Sequence, residues 1–316
     1  MIFKRFGENA LKLSNSNPWT NVYGVARTVL AIGTLITLLF NDMNVLFREG
    51  AGIPTCPICV GSPQYGIFCL IENLDVAKWI SIFILLSVIS GFLPQITSIL
   101  HWWVAFSLTN SAMVVDGGDQ ITAVLTLLLI PICITDNRIN HWYPQKSEPT
   151  GIFDRSKRLI ALSTFFVIRV QVALLYFQAG VSKLKVEEWA DGTAMYYWVN
   201  NPLIGHFGFL KPLLNGITSS PILLPILSWL TIAFEVLLFA GLFMNKKNRG
   251  LLLKAGVTFH LLILFVFGLV SFYFAMFGAL LLFLRPYEEE FQFKRIKSIA
   301  HSLNQKFRGN PKKSEG

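Results

Sequence analysis

The sequence predicts an all-α integral membrane protein of about eight transmembrane helices, with both termini cytoplasmic and an outer re-entrant segment after the fifth. Three observations carry this reading. Of 316 residues, 53% are hydrophobic and only 14% charged, with a mean hydropathy of +0.54; a soluble domain carries about 25% charged residues. Several apolar runs approach the length of about 20 residues that crosses a bilayer. The Lys and Arg residues behind the net charge of +9 fall mainly in alternate connecting segments. That is the pattern of cytoplasmic loops.

Taken in order, residues 1–21 form a basic, amphipathic lead-in without the features of a cleavable signal peptide. It ends in Asn17-Pro18-Trp19, an interfacial anchor. Spans follow at about 22–41, 77–93, 99–115, 119–135, 158–180, 221–244, 252–269 and 271–284. The last two share one apolar run, too long for a single crossing, which divides near Gly268–Ser271. Pro94 turns spans two and three into a hairpin, and Asp116-Gly117-Gly118-Asp119 does the same for spans three and four. A basic inner linker, 136–157, joins two four-span halves, 1–157 and 158–284, of one membrane domain. The tail 285–316, with Lys294, Arg295, Lys297, Lys306, Arg308, Lys312 and Lys313, reads as a cytoplasmic contact for anionic lipid headgroups. No recognition motif accompanies the charge, so nucleic-acid binding is not expected.

The stretch 171–198 departs most from an ordinary span. Gln171 and Gln178 share one face of an apolar helix, then Gly180, Lys183, Lys185, Glu187, Glu188, Trp189 and an Asp191-Gly192 turn follow. Charge packed this close to an apolar helix, then aromatics, predicts a loop returning toward membrane depth over a polar cavity. Such backbone is tolerated where protein or water covers it. Ionisable groups inside other spans are either sites or braces. Arg27 can snorkel to the inner interface or face the bundle, and His101 is interfacial or catalytic. Glu235 reads as the ion-pair partner of Arg27 or Arg169. His260 reads as a hydrogen-bonded core histidine. Asp116 and Asp119 suit a turn, yet two carboxylates at that depth call for a partner, and Lys183 lies on the same side. No His, Cys or Asp cluster has metal-ligand spacing.

Three of four cysteines, Cys56, Cys59 and Cys69, lie in the first outer loop. Cys56-Pro-Ile-Cys59 has the spacing of a thiol–disulfide redox pair, but the prolines and glycines around it offer no helix N-terminus. A structural disulfide is favoured over redox chemistry. Cys56–Cys69 is the expected pair, with Cys59 as the other candidate.

The segment YFQAGVSKLKVEEWADGTAMYY resembles the signature of the HTTM proteins, the membrane domain shared with vitamin K-dependent γ-glutamyl carboxylase. The similarity continues through Arg27, SLTNSAMVVDGGD, Phe234-Glu235, Phe259-His260 and FLRP. NPWTNVYGVARTVL, LHWW, Asn140-His141-Trp142 and EWADGTAMYYW resemble the bacterial SdpB-like branch of that family. The resemblance implies a bacterial plasma-membrane factor that matures a secreted antimicrobial peptide of the sporulation-delaying type. Its partners would be the toxin precursor and a smaller accessory maturation protein; the resemblance leaves the cofactor open. In the carboxylases a lysine of the AGVKKL motif acts as base, and AGVSKL places Lys183 there. Departures at the Asp-Gly-Gly-Asp turn and the lack of a large lumenal domain argue against vitamin K-type carboxylation itself. The expected catalytic groups are therefore Lys183, Asp116, Asp119 and His260. The expected lining is Arg27, His101, Arg169, Gln178, Glu187, Trp189 and Glu235. A thiol oxidoreductase using Cys56 and Cys59, and a non-enzymatic export or immunity component, are the alternative functions.

Overall fold

Each of the eight apolar segments is a helix: α1 (Asn21–Phe40), α2 (Leu74–Ser90), α3 (Pro94–Ser111), α4 (Gly117–Thr135), α5 (Ile152–Lys183), α6 (Leu223–Ala240), α7 (Lys246–Phe267) and α8 (Val270–Leu284). The computed structural model describes residues 8, 10–50, 52, 56–143, 148–202 and 208–292. The basic tail from Lys294 onward lies outside the described residues. Five helices, α1, α4, α5, α7 and α6 with its continuation to Phe243, are long and apolar enough to cross a membrane. By the same measure α2 and α8, at 17 and 15 residues, are short.

Local chemistry sets the helix ends. Thr20, Asn73, Asp116 and Asn245 cap the N-termini of α1, α2, α4 and α7, each side chain accepting from a backbone N–H that the first turn leaves unpaired. Pro94 opens α3 at a position where its missing N–H costs nothing. The long apolar run breaks as expected at Gly268, whose φ of 71° only a residue without Cβ adopts readily. α5 is the exception in length. At 32 residues it spans about 48 Å at ~1.5 Å per residue, and it begins six residues before the apolar run, where Asp154 and Arg158 pair one turn apart.

The helices alternate in direction, so the bundle has a near end, where α1 starts, and a far end, where α5 finishes. α1 divides two hydrophobic cores. One, with Tyr23, Leu30, Leu129, Phe165, Tyr176 and Phe283, is shared with α4, α5 and α8. The other, with Leu38, Phe47, Phe68, Leu85 and Leu108, is shared with α2, α3 and the loop between α1 and α2. α8 packs on α1 at close range: a Cβ on Gly278 would meet Leu30 at 2.8 Å, and one on Gly33 would meet Phe274 at 3.0 Å. Small residues permit this approach between apolar helices. α6 lies against α5, and α7 against α8. α7 is the least covered, with 17% of its apolar window buried against 61% for α1.

Candidate functional site

At the far end, the last turns of α5 meet the middle of α6. A Cβ on Gly180 would stand 3.0 Å from Val236 and 3.5 Å from Glu235 Cβ, so glycine lets the two backbones close up. One turn later Lys183 Nζ donates to both oxygens of Glu235, at 2.8 and 2.7 Å, and to Ala179 O at 3.2 Å. Nζ also stands 5.2 Å from the centre of the Trp189 ring, a cation–π arrangement. The side chains of Lys183 and Glu235 keep only 21% and 12% of their accessibility. Glu235 is thus paired, as the sequence suggests, but with Lys183 instead of Arg27 or Arg169. The pairing of Lys183 with Asp116 or Asp119 is likewise not formed.

Trp189 is held by a return of the chain. Two short helices, Glu187–Ala190 and Ala194–Val199, fold back along α6 after α5 ends. Ser228 Oγ, more than a turn inside α6, donates to Gly192 O at 2.9 Å. Gly192 has a φ of 86°, and its missing Cβ would meet Pro225 at 2.6 Å. The chain after α5 thus turns back alongside α6.

Tyr176, two turns before Lys183, is on the same face of α5. It is fully buried, and its hydroxyl has no hydrogen-bond partner among the described residues. Its ring lies 6.0 Å from that of His260, whose Nδ1 is 2.8 Å from Gly256 O. The His260 ring lies 5.8 Å from that of Phe272, and the Phe272 backbone packs on Gly118, where a Cβ would approach to 2.6 Å. There Asp116 Oδ1 accepts from Gly118 N at 2.7 Å and Asp119 N at 3.1 Å, and Asp119 Oδ2 accepts from Asp116 N at 3.1 Å. Ser271 Oγ donates to Asp116 Oδ2 at 2.6 Å. The two carboxylates form a reciprocal cap on α4. Lys183, Glu235, His260, Asp116 and Asp119 are joined, through Tyr176 and Phe272, into one contiguous far-end region.

Other expected residues lie elsewhere. Gln178 and Glu187 are exposed. Arg169 is 14 residues before Lys183 on α5, about 21 Å along the axis. Arg27 and His101 are buried near the near end, where Arg27 Nη2 donates to Thr97 Oγ1 at 2.6 Å and Nη1 is 3.3 Å from His141 Nδ1. Arg27 does not snorkel; it faces the bundle. Among the cysteines, Cys59 pairs with Cys69, at a Cα separation of 5.7 Å, and Cys56 is free. The expected Cys56–Cys69 bridge is not formed. The Cys56 thiol pKa is raised by burial and then by Glu49, which reduces the thiolate that exchange chemistry requires. No group of three His, Cys, Asp or Glu side chains that could hold a metal ion occurs among the described residues.

Residues 153–287, which include every member of the Lys183 region except the α4 cap, match the HTTM domain. The chain is 40% identical over 287 residues to the uncharacterized protein YitO of Bacillus subtilis (strain 168), covering 90% of this chain and 91% of YitO. It is 33% identical over 277 residues to the sporulation-delaying protein SdpB of the same organism, covering 86% of this chain and 84% of SdpB. The chain belongs to the HTTM family. With five spanning-length apolar helices, this HTTM protein is a multi-pass membrane protein. No solved structure matches it.

Two features of this HTTM chain escape the sequence reading. Tyr176 was hidden because a tyrosine inside an apolar run looks like packing, although its seven-residue spacing from Lys183 was visible. At the near end, Tyr23 donates to Asp136, which Arg138 grips through Nε and Nη2 at 2.8–3.0 Å. The signal for that network was the Asp136–Arg138 spacing after α4. Its partner on α1 was not legible locally.

Proposed function

We propose that this chain is a polytopic factor of a bacterial plasma membrane that matures a secreted antimicrobial peptide toxin, acting on the precursor at the outer face. About eight spans with both termini cytoplasmic would place the far end outside. What supports the role is the identity to a protein named for sporulation delay, over most of both chains. What supports the site is the sheltered Lys183–Glu235 pair beside the unpartnered Tyr176 hydroxyl.

The chemistry follows from the pair. In the pair, an Nζ proton of Lys183 is hydrogen-bonded to the Glu235 carboxylate. In a site closed to water, transfer of that proton to Glu235 yields a neutral amine and a neutral acid, and removes two charges from low dielectric. Lys183 Nζ would then be a base that takes a proton from a peptide group, and Glu235 would give one back to the product, which restores the ion pair. The Tyr176 hydroxyl would supply a donor, and Trp189 would keep water off the amine. A small accessory protein would present the precursor to this face.

The test is the intact mass of the secreted peptide from cells carrying the wild-type protein, Lys183→Ala or Glu235→Gln, with the protein quantified in the membrane. The expected result is an unprocessed or differently modified peptide from both variants at normal membrane levels. Peptide of unaltered mass and amount would overturn the proposal. Unaltered mass with less peptide outside would overturn the chemical step and make the protein an export component.

A further inference from the structure

A cavity of about 580 Å³ opens between α5, the start of α7 and the chain just after α8, at the near end and well away from the Lys183 region. Arg169, Lys246 and Arg249 face it, against one carboxylate, Glu288. Glu288 does not neutralise the group: its nearest approach is 3.9 Å to Lys246, and that pair is mostly exposed. Among the described residues, the Nε atoms of Arg169 and Arg249 are buried without a hydrogen-bond partner. Arg169 Nη2 reaches Arg285 O at 3.5 Å, the outer limit of a hydrogen bond. Two guanidinium groups that repel each other and line one cavity form an arrangement that an anion would complete.

The level of the cavity identifies the source of the anion. Lys246 and Arg249 begin α7, and Arg285 directly follows α8. Arg169 is therefore level with the points where two apolar helices leave their apolar runs, the depth of lipid headgroups. The rim beside the charges is apolar and uncovered, with Phe166 at 64% and Val167 at 49% exposure. We propose that the cavity binds the phosphate of an anionic phospholipid, gripped by Arg169 and Arg249, with its acyl chains lying over Phe166 and Val167. Guanidinium forks suit this, since each can donate two parallel hydrogen bonds to a phosphate. Free phosphate would satisfy the charges but leave the apolar rim bare.

The full-length protein, delipidated in detergent, would be titrated with phosphatidylglycerol, phosphatidylcholine or inorganic phosphate and read by native mass spectrometry. Wild type is expected to retain phosphatidylglycerol over phosphatidylcholine, with millimolar inorganic phosphate unable to displace it. Arg169→Gln/Arg249→Gln should weaken retention about tenfold or more, from the loss of two charged hydrogen-bonding groups. Arg169→Lys/Arg249→Lys, which keeps both charges, should fall between and guards against a folding defect. Equal retention of the two lipids, unchanged binding in the Gln variant, or full displacement by phosphate would each overturn the proposal.

Discussion

At the scale of single residues, burial decides what a charged or polar side chain can do, and His141 shows it most directly. It sits in the loop after α4, fully buried, with Arg27 on one side and Arg138 nearby. Burial first, then those two cations, pushes its imidazole down to about 3. An unfolded chain takes up this proton near pH 6.5, whereas the folded one resists until about pH 3. The unfolded state therefore binds more protons across this window, and stability falls as the pH drops from about 6.5 toward 3. Each pH unit costs up to about 1.4 kcal/mol from this residue. Thermal unfolding in detergent between pH 7.5 and 4.5 should show the decline, and His141→Gln should flatten it. The contrast with Lys183 is instructive. Both are sheltered, but Lys183 has a carboxylate, whereas the charged groups that act on His141 are cations.

At the scale of elements, the site depends on how closely two helices approach. The Lys183–Glu235 pair exists because Gly180 has no side chain to hold α5 off α6. Gly180→Val would put two methyl groups where Val236 already stands, and overpacking of this kind costs about 1–3 kcal/mol. The expected outcome is a lower thermal midpoint together with the same peptide defect as Lys183→Ala, although Lys183 and Glu235 are both still present. Gly216→Ala, at a position where no described residue comes within 4 Å of the missing Cβ, should leave both measurements unchanged. The same dependence explains what was legible beforehand. Helix positions followed from apolar runs, and the break at Gly268 followed from length alone. The polar first turns of α5 did not, because hydropathy does not register an extension stabilised by the Asp154–Arg158 pair.

At the scale of the whole molecule, two charged regions stand at opposite ends of one bundle. The sequence presented Arg27, Arg169, Glu235 and His260 as a single set of intramembrane groups. Folding sorts them: Glu235 and His260 go to the far end, the others to the near end. Which helix lies beside which is a property of long-range packing, and no local spacing encodes it. That is why the charges were legible while their partners, Lys183 for Glu235 and His141 for Arg27, were not. The Asp116–Asp119 pair lies between these cases. Its turn was readable as a four-residue pattern, but the reciprocal cap and the contact with Ser271 of α8 were not.

The cysteine arrangement of the far-end loop makes the native chain its own topological reporter. Cys59 and Cys69 are consumed by their bond, and Cys133 is buried within α4, which leaves Cys56 as the one partly exposed free thiol. A membrane-impermeant maleimide applied to intact cells should therefore modify a single site, without any engineered cysteine. Labelling at Cys56 would put the far end outside and the start of α1 inside; protection until the cells are opened would reverse the molecule. The raised thiol pKa means the reagent will work faster at mildly alkaline pH, and Cys56→Ser supplies the blank.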